Sequence, residues 1–229
     1  MRSLPELVRD AGRRLLGRGT DHRSIFTRIY RRNTWGSAES VSGPGSTRER
    51  GADFRDDLVA LLRQLDARVL LDAPCGDFNW MEEVAASVDE YVGVDVVEEL
   101  IARNAQRHGA HGRRFLCADL TADPLPRADV VLCRDCLVHF SFADAWAALE
   151  NFRRSGSRWL LTTTFVDRAS NEDIRTGGWR ILNLQAAPFH FPPPVSVIDE
   201  RCLHTGGIYR DKRLALWALD SIPAAPASR

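Results

Sequence analysis

Short apolar runs alternate with amphipathic segments along most of the chain. The runs have the length and composition of buried strands, whereas the segments between them repeat apolar residues at helical spacing. The pattern predicts helices at 53–65, 81–87, 97–108 and 142–153, and strands at 68–74, 91–95, 114–120, 128–133, 158–165, 195–200 and 214–219. Such alternation predicts a parallel sheet with helices on both faces. The last two strands, on either side of a Gly-Gly turn region, are expected to be antiparallel.

The residues before and after this alternating region have a different character. Residues 1–32 are rich in arginine and repeat apolar residues at helical spacing, namely Leu4, Leu7, Val8, Ala11 and Leu15. We interpret this arm as an amphipathic helix packed on the domain or on a second subunit, which makes it a candidate homodimer contact; an anionic partner is the alternative. Residues 33–48 are a glycine-rich loop that carries Trp35 and is predicted to cover a site. The arm and loop (1–52) thus precede a domain at 53–219 and a frayed tail at 220–229.

Composition narrows the class of protein. The chain has 229 residues, of which 44% are apolar, and equal numbers of basic and acidic side chains, 31 of each. This composition suits one folded domain and excludes a disordered chain. A zero net charge gives no global field for nucleic acid, so we do not expect a nucleic-acid partner. No run approaches 18 apolar residues and the first 20 residues lack an apolar signal region, so we expect a cytoplasmic protein without membrane contact.

The five cysteines favour reduced thiols, because their number is odd and most lie in apolar runs. Cys133 and Cys136 form a C-x-x-C pattern, which zinc sites and redox pairs also use. A second pair is missing from the sequence. Buried thiols are therefore favoured over metal or redox chemistry at this position.

The turn after the first predicted strand limits the ligand that it could bind. It contains Asp72, Asp77 and a single glycine, Gly76, whereas a dinucleotide fingerprint needs G-x-G-x-x-G to seat a pyrophosphate. Two carboxylates would repel a pyrophosphate. They would suit a ligand that carries an ammonium or sulfonium charge.

Acidic residues also end the next two predicted strands. Asp95 follows Asp72 by about 20 residues, the spacing expected of a carboxylate that binds ribose hydroxyls. Asp119 and Leu120 combine an acid with an apolar residue, which suits the amine and ring face of adenine. Because ligands of open α/β sheets bind beyond the carboxyl ends of the strands, these acids predict a site for a positively charged nucleoside.

Three of these segments resemble motifs of the class I S-adenosylmethionine-dependent methyltransferases. LLDAPCGDFNW (70–80) is similar to their first motif, VGVD (92–95) to their second and CADL (117–120) to their third. The resemblance covers about 53–219. It implies a doubly wound, Rossmann-like α/β fold whose seven-stranded sheet is mostly parallel with the last strand antiparallel. It also implies methyl transfer from S-adenosylmethionine. One departure is that Asp77 and Asn79-Trp80 stand where the family has its second and third glycines.

The resemblance also implies which residues bind the cofactor. Gly76 would approach the methionine part, Asp95 the ribose, and Asp119 with Leu120 the adenine. The cofactor-binding candidates are Trp35, Asp72, Pro74, Gly76, Asp77, Asp95, Asp119, Leu120 and Arg134.

Longer sequence segments indicate a subgroup within this family. WGSAESVSGPGS (35–46), CRDCLVHFS (133–141) and the segment 171–194 are similar to small bacterial methyltransferases, some of which methylate sugars or polysaccharide ends, including the mycobacterial methylmannose polysaccharide type. This resemblance implies a sugar or short glycan acceptor. Methylation of another small molecule or of RNA, and a non-catalytic partner that only binds S-adenosylmethionine, are the alternatives.

Methyl transfer to a hydroxyl requires a group that removes a proton, and the candidates follow the fourth strand. His139 is predicted to be the general base, because its ordinary pKa lies near working pH. Asp135, four residues earlier, is predicted to share a helical face with His139 and to orient it, bind the acceptor or bind a metal. The alternative is that Asp135 caps the next helix and His139 satisfies a buried backbone group.

A long insertion at about 167–194 separates the fifth strand from the closing pair. Long insertions at the ligand edge of a sheet are usually functional, so we expect a lid; a self-packed surface loop is the alternative. Its amides and aromatics suit a polyhydroxylated acceptor. The substrate-binding candidates are Trp80, Asn171, Asp173, Arg180, Asn183 and His190.

Metal dependence is a separate question. Asp135 with Asp167 or Asp173 would offer the oxygen ligands that Mg²⁺ prefers. No tight carboxylate pair is visible in the sequence. We therefore favour metal-free chemistry over a magnesium site.

Overall fold

The computed structural model describes residues 21–110, 112–203 and 205–226. The predicted apolar repeat of the arm, from Leu4 to Leu15, lies outside the described residues, as does the end of the tail at 227–229. Among the helices that are described, none combines the length and the apolar character needed to cross a bilayer.

A seven-stranded sheet runs through the domain. Its strands are β1 (Val69–Asp72), β2 (Glu90–Asp95), β3 (Arg113–Cys117), β4 (Val130–Cys133), β5 (Trp159–Phe165), β6 (Ser196–Asp199) and β7 (Lys212–Ala218). They lie in the order β3-β2-β1-β4-β5-β7-β6, with β1 to β5 parallel and β7 antiparallel to both of its neighbours. The order reverses between β1 and β4, which is where such sheets open a ligand crevice. The predicted fold class is confirmed.

Helices cover both faces of the sheet. They are α1 (His22–Arg31), α2 (Arg48–Ala52), α3 (Arg55–Gln64), α4 (Glu82–Ala85), α5 (Glu98–His108) and α6 (Phe142–Arg154). Short 3₁₀ turns include Pro44–Ser46, Leu137–His139 and Leu219–Ser221. The start of α6 is fixed by Ser141, whose hydroxyl oxygen accepts a hydrogen bond from the Asp144 amide at 3.1 Å.

Side chains of successive residues in a central strand lie on opposite faces of the sheet. Leu70 packs with Leu58 and Leu62 of α3, whereas Leu71 belongs to the cluster that contains Leu149 and Phe152 of α6. Strands that are buried on both faces need apolar residues at every position. This explains why the sequence shows continuous apolar runs rather than an alternating pattern.

Helix α1, the described part of the arm, packs against the domain. His22 is buried, and its Nδ1 lies 2.8 Å from Asp119 Oδ2, just beyond β3. At the other end of the helix, Arg31 pairs with Glu99 of α5. Residues 22–31 therefore contact the domain itself.

The insertion between β5 and β6 is anchored in the core by a few buried side chains. The backbone of Phe165 donates to the carbonyl of Leu182 at 2.9 Å, and four apolar side chains of the insertion are buried, namely Leu182, Leu184, Phe189 and Phe191. Of the whole insertion, only Trp179 lines the cavity described below. Burying these four large apolar side chains anchors the second half of the insertion in the domain. The lid stays a prediction.

Candidate functional site

A cavity of about 460 Å³ lies beyond the carboxyl ends of the strands, beneath α1 and the glycine-rich loop. All nine predicted cofactor-binding residues line it, as do Asp135, His139 and Trp80. One half of the cavity is built from residues that follow β1, β2 and β3, and the other from residues near β4, β6 and β7. We call them the β1–β3 half and the β4–β7 half.

Asp95 lies at the centre of the β1–β3 half. Its carboxylate accepts hydrogen bonds from the backbone of Gly76 at 3.2 Å and of Val97 at 3.0 Å. Burial nevertheless raises the pKa of Asp95 to about 6. The carboxylate is therefore held in one orientation by backbone groups and is predominantly ionised at neutral pH.

Asp72 is a second buried acid in this half. Its Oδ2 accepts a hydrogen bond from the hydroxyl of Tyr91 at 2.6 Å. Burial raises the pKa of Asp72 to about 7, and the nearby charge of Asp95 acts in the same direction. The two strand-end acids thus share a negative site whose charge depends on pH near neutrality.

Asp119, the third strand-end acid, is held by α1. Its carboxylate accepts hydrogen bonds from the backbone and hydroxyl of Thr121 at 2.9 and 2.7 Å, and it contacts Nδ1 of His22. Burial opposes ionisation, but the bonds from His22 and Thr121 lower the pKa of Asp119 to about 2. The carboxylate is a permanent anion. The same contact raises the pKa of His22.

The glycine-rich loop is clamped onto the first motif by the residues that depart from the family pattern. Asp77 accepts hydrogen bonds from the Ser40 hydroxyl at 3.0 Å, the Val41 backbone at 2.9 Å and the Ser42 hydroxyl at 3.2 Å. Asn79 donates to the carbonyl of Ser46 at 3.1 Å. The residues that stand in place of the usual glycines thus bind this chain's own cover loop.

Gly76 is required by this same approach of the loop. Its φ is +52°, and a Cβ on it would lie 2.2 Å from the hydroxyl oxygen of Ser42. Its amide donates to Asp95 and its carbonyl accepts from Asn104 at 2.7 Å. Both backbone groups of Gly76 therefore already have partners within the protein.

Four charged side chains form a closed ring in the β4–β7 half. Arg134 donates twice to Glu200 Oε2, at 3.0 and 2.6 Å, and lies 3.4 Å from Asp135. Lys212 Nζ lies 2.6 Å from Asp135 Oδ2 and 3.1 Å from Glu200 Oε2. Burial disfavours the charge of Asp135, but Lys212 and Arg134 hold its pKa below the usual range. Asp135 is therefore an ionised, paired carboxylate.

His139 lines the cavity, and one nitrogen of its ring is bonded to the protein. Its Nδ1 lies 2.6 Å from the carbonyl oxygen of Gly178, which can only accept, so Nδ1 carries the proton of the neutral ring. Burial lowers the pKa of His139. Its ring centroid lies 5.0 Å from that of Trp35 in the cover loop. Nε2 is then the basic nitrogen of a histidine that is neutral at pH 7.

The predicted pairing of His139 with Asp135 is corrected. Asp135 has a φ of +51° and precedes the 3₁₀ turn, so the two residues do not lie on one helical face. The carbonyl of Gly178, not Asp135, fixes the imidazole. Asp135 also caps no helix, because its carboxylate is paired with Lys212 and Arg134.

Five predicted substrate-binding residues do not line the cavity, and their placement is corrected. They are Asn171, Asp173, Arg180, Asn183 and His190. The Asn171 side chain accepts from the amide of Asn183 and donates to the carbonyls of Asn183 and Ala187, and the Asn183 side chain donates to the carbonyl of Arg168. Asp173 accepts from the Phe142 amide at the start of α6, and Arg180 donates to the carbonyl of Phe140. Polar side chains of the insertion are used to satisfy its own backbone, which sequence alone does not distinguish from ligand binding.

The sequence reasoning missed several residues of the cavity. Glu200, Lys212 and His22 all line it and all are buried. So do aromatic side chains around the β4–β7 half, namely Phe140, Phe165, Trp179 and Tyr209. One signal was available: Lys212 is the only lysine among the 31 basic residues of the chain.

The cysteines of the C-x-x-C pattern are buried in the structure. Cys133 and Cys136 are buried free thiols, and the hydrogen bond to Cys133, together with burial, raises the pKa of Cys136. Within the residues that the structure describes, no cluster of three potential metal ligands is present. The carboxylate of Asp135 contacts an ammonium, and that of Asp173 bonds to backbone amides.

Comparison with known proteins adds the following. Residues 70–156, less than half of the chain, match the model of a family described as a methyltransferase domain. No curated protein matches the sequence.

Several solved structures share the fold. Over 89% of this chain and 87% of the other, the structure is similar to 1,6-didemethyltoxoflavin-N1-methyltransferase of Burkholderia thailandensis, with a TM-score of 0.57 and 21% identity. Magnesium protoporphyrin IX methyltransferase of Synechocystis PCC 6803 is similar over 69% of this chain and 82% of the other, with a TM-score of 0.49 and 19% identity. The methyltransferase domain of bacterial CtHen1 covers 52% of this chain, which spans 66% of that domain, with a TM-score of 0.45 and 16% identity. The likeness to the Burkholderia enzyme, at 21% identity, shows the fold.

Proposed function

We propose that this protein transfers a methyl group from S-adenosylmethionine to a hydroxyl of a sugar or short polysaccharide. The enzyme class is supported by the methyltransferase-domain match and by the fold, which it shares with a methyltransferase crystallised with S-adenosylhomocysteine. The protein is an S-adenosylmethionine-dependent methyltransferase. The hydroxyl and the sugar are the proposed part.

The β1–β3 half fits the donor by its chemistry. Asp95 offers a carboxylate, held by two backbone amides, to ribose hydroxyls, and the acid-plus-apolar pair of Asp119 and Leu120 suits adenine. The acids of this half also favour a cation. When bound, S-adenosylmethionine supplies a methyl group on a sulfonium sulfur. Trp35, Pro74 and Arg134 complete the set of residues that we expect around it.

The observation that carries the O-methyl proposal is the state of His139. Its Nδ1–H is committed to Gly178, and burial keeps the ring neutral at pH 7, so Nε2 is free to take a proton from an acceptor hydroxyl. Its place in the cavity that also contains Asp95 would bring that hydroxyl to the donor side. The loop residue Trp35 contacts the imidazole and would keep bulk water away from it.

A sugar acceptor is supported by the character of the β4–β7 half. Aromatic side chains such as Trp179 and Tyr209 can stack on the apolar face of a sugar ring, and the ring of charges beside them can bond its hydroxyls. The same aromatic side chains favour a second candidate, a planar heteroaromatic acceptor. The Burkholderia enzyme of similar fold is a 1,6-didemethyltoxoflavin-N1-methyltransferase, and its structure contains bound 1,6-didemethyltoxoflavin.

The test begins with calorimetric titration of S-adenosylmethionine and S-adenosylhomocysteine. We expect binding in the micromolar range and a loss of about 100-fold in affinity for Asp95→Ala, because the ribose loses its charged hydrogen-bond partner. The matched control is Asp129→Ala. Asp129 also accepts hydrogen bonds from two backbone amides, those of Arg68 and Val69, but at the start of β1 rather than at its carboxyl end. It should leave donor affinity unchanged.

Short methyl glycosides and planar heteroaromatic compounds are then offered as acceptors, and the product is identified by mass spectrometry and NMR. An O-methylated glycoside supports the proposal. If only a heteroaromatic compound is methylated, the sugar acceptor is refuted and the planar heteroaromatic acceptor is supported. Donor binding without turnover on any acceptor favours a non-catalytic partner, and no donor binding would refute the methyltransferase assignment.

A further inference from the structure

The charged ring of the β4–β7 half contains two groups that the donor does not explain. Glu200 is 1% exposed and lines the cavity, yet only its Oε2 has partners, Arg134 and Lys212. Its Oε1 accepts no hydrogen bond from any residue that the structure describes. A buried carboxylate oxygen without a donor is costly, so such an atom points to a ligand that supplies one.

Lys212 is the second group. Its ammonium has three N–H donors; one donates to Asp135, and Glu200 is an ion-pair partner at 3.1 Å. Lys212 also lines the cavity, so a further donor is available to a ligand there. A lysine ammonium carries its three donors on one atom, whereas a guanidinium spreads its donors over a planar fork. Lys212 is the only lysine of the chain.

We infer that Lys212 and Glu200 form a hydroxyl-recognition pair for the acceptor, in which Lys212 donates to one acceptor oxygen and Glu200 Oε1 accepts from a neighbouring hydroxyl. Adjacent hydroxyls that each donate and accept are the hallmark of a sugar. The inference rests on the proposed function and adds the residues that would select the acceptor.

The arrangement is rigid, which suits recognition. Arg134 holds Glu200 through two hydrogen bonds, and its guanidinium lies 4.8 Å from the ring of Phe54 and 5.4 Å from that of Trp80. The ring pairs two cations with two anions, so it imposes no net charge on an acceptor. A neutral polyol is therefore a better match than a charged metabolite.

Because Lys212 is the only lysine, a protein labelled with lysine that carries ¹³C only at Cε gives a single side-chain ¹³C NMR signal. The wild-type protein is saturated with S-adenosylhomocysteine, and methyl glycosides, including methyl α-mannoside, are titrated in. We expect a glycoside that is methylated to shift the Lys212 signal over the same concentration range as its KM. Since this readout uses the wild-type protein, it does not depend on whether any variant folds.

Variants then test the contribution of each group. We expect Lys212→Met to lower kcat/KM for the acceptor about 100-fold and Glu200→Gln about tenfold, with donor affinity within twofold of wild type. The controls are Arg213→Met, the next residue of β7, and Asp211→Asn, a buried acid that pairs with Arg168 at 2.8 Å. Neither control residue lines the cavity.

The outcomes separate this inference from the proposed function. If a glycoside is methylated but the Lys212 signal does not shift, the hydroxyl-recognition role of Lys212 and Glu200 is refuted while the proposed methyltransferase activity stands. The same holds if the variants behave like their controls. If a non-sugar alcohol is methylated and shifts the signal, the recognition role of Lys212 and Glu200 is supported and the sugar acceptor is refuted. If no compound is methylated and the signal never moves, both fail.

Discussion

The two halves of the cavity are built in different ways. In the β1–β3 half, each acid directly ends its own strand or follows it closely, and backbone amides hold Asp95 and contribute to holding Asp119. In the β4–β7 half, the charged side chains come from distant parts of the sequence and hold one another by ion pairs. A strand end can position a single carboxylate locally, whereas a ring of charges exists only when separate strands meet. The first half suits a constant donor and the second suits an acceptor that differs between enzymes.

The largest expected loss of activity comes from a substitution in the β4–β7 half. Replacing the base in His139→Ala should lower kcat by 10²–10⁴-fold without changing donor affinity, because the proton of the acceptor hydroxyl loses its destination. Steady-state kinetics and calorimetry measure the two quantities separately. His190→Ala, an exposed histidine outside the cavity, is the control. Near-normal turnover in His139→Ala would remove it as the base.

The pH profile sharpens the same prediction. The base works when it is neutral, and burial lowers the pKa of His139 below its ordinary value near 6.5. With the donor saturating, we therefore expect kcat to fall as pH decreases through that lowered pKa. Protonation of Asp72 and Asp95, whose pKa values are about 7 and 6, should appear instead in the KM of the donor. In His139→Ala this acid limb should disappear. A limb that persists would belong to another group.

An intermediate effect is expected on the β1–β3 half through the cover loop. Asp77→Ala removes the bonds to Ser40, Val41 and Ser42, so the loop should close less firmly and the donor should dissociate about tenfold faster. Stopped-flow dissociation of S-adenosylhomocysteine measures this rate. Ser37→Ala is the control, because its hydroxyl bonds only within the loop. Equal rates in the two variants would show that the clamp does not govern donor release.

The smallest effect is expected from metal removal. Asp135 is paired with Lys212 and Arg134, and two cations beside it disfavour a divalent ion. We therefore expect a chelator to change kcat/KM by less than about twofold, and added Mg²⁺ to have no effect. Loss of activity in the chelator that magnesium restores would instead assign Asp135 to a metal site.

The accuracy of the sequence analysis follows the same division. The apolar runs predicted all seven strands, and the strand-end acids Asp95 and Asp119 lie at the cavity as expected. In the insertion, by contrast, polar residues such as Asn171 and Asn183 bond to backbone and do not line the cavity. Composition shows that a segment carries hydrogen-bonding groups. It does not show whether their partners belong to the chain or to a ligand.

The sequence by itself determined the fold class and the donor-side acids, because strand periodicity and residues next to a strand end are local properties of the chain. Only the tertiary structure decided that Asp77 binds the cover loop, that Gly178 fixes His139, and that Lys212 lies between two carboxylates. These contacts join residues far apart in the chain. Their partners are set by strand order and by the path of the loops, which the pattern of apolar and polar residues does not encode one contact at a time.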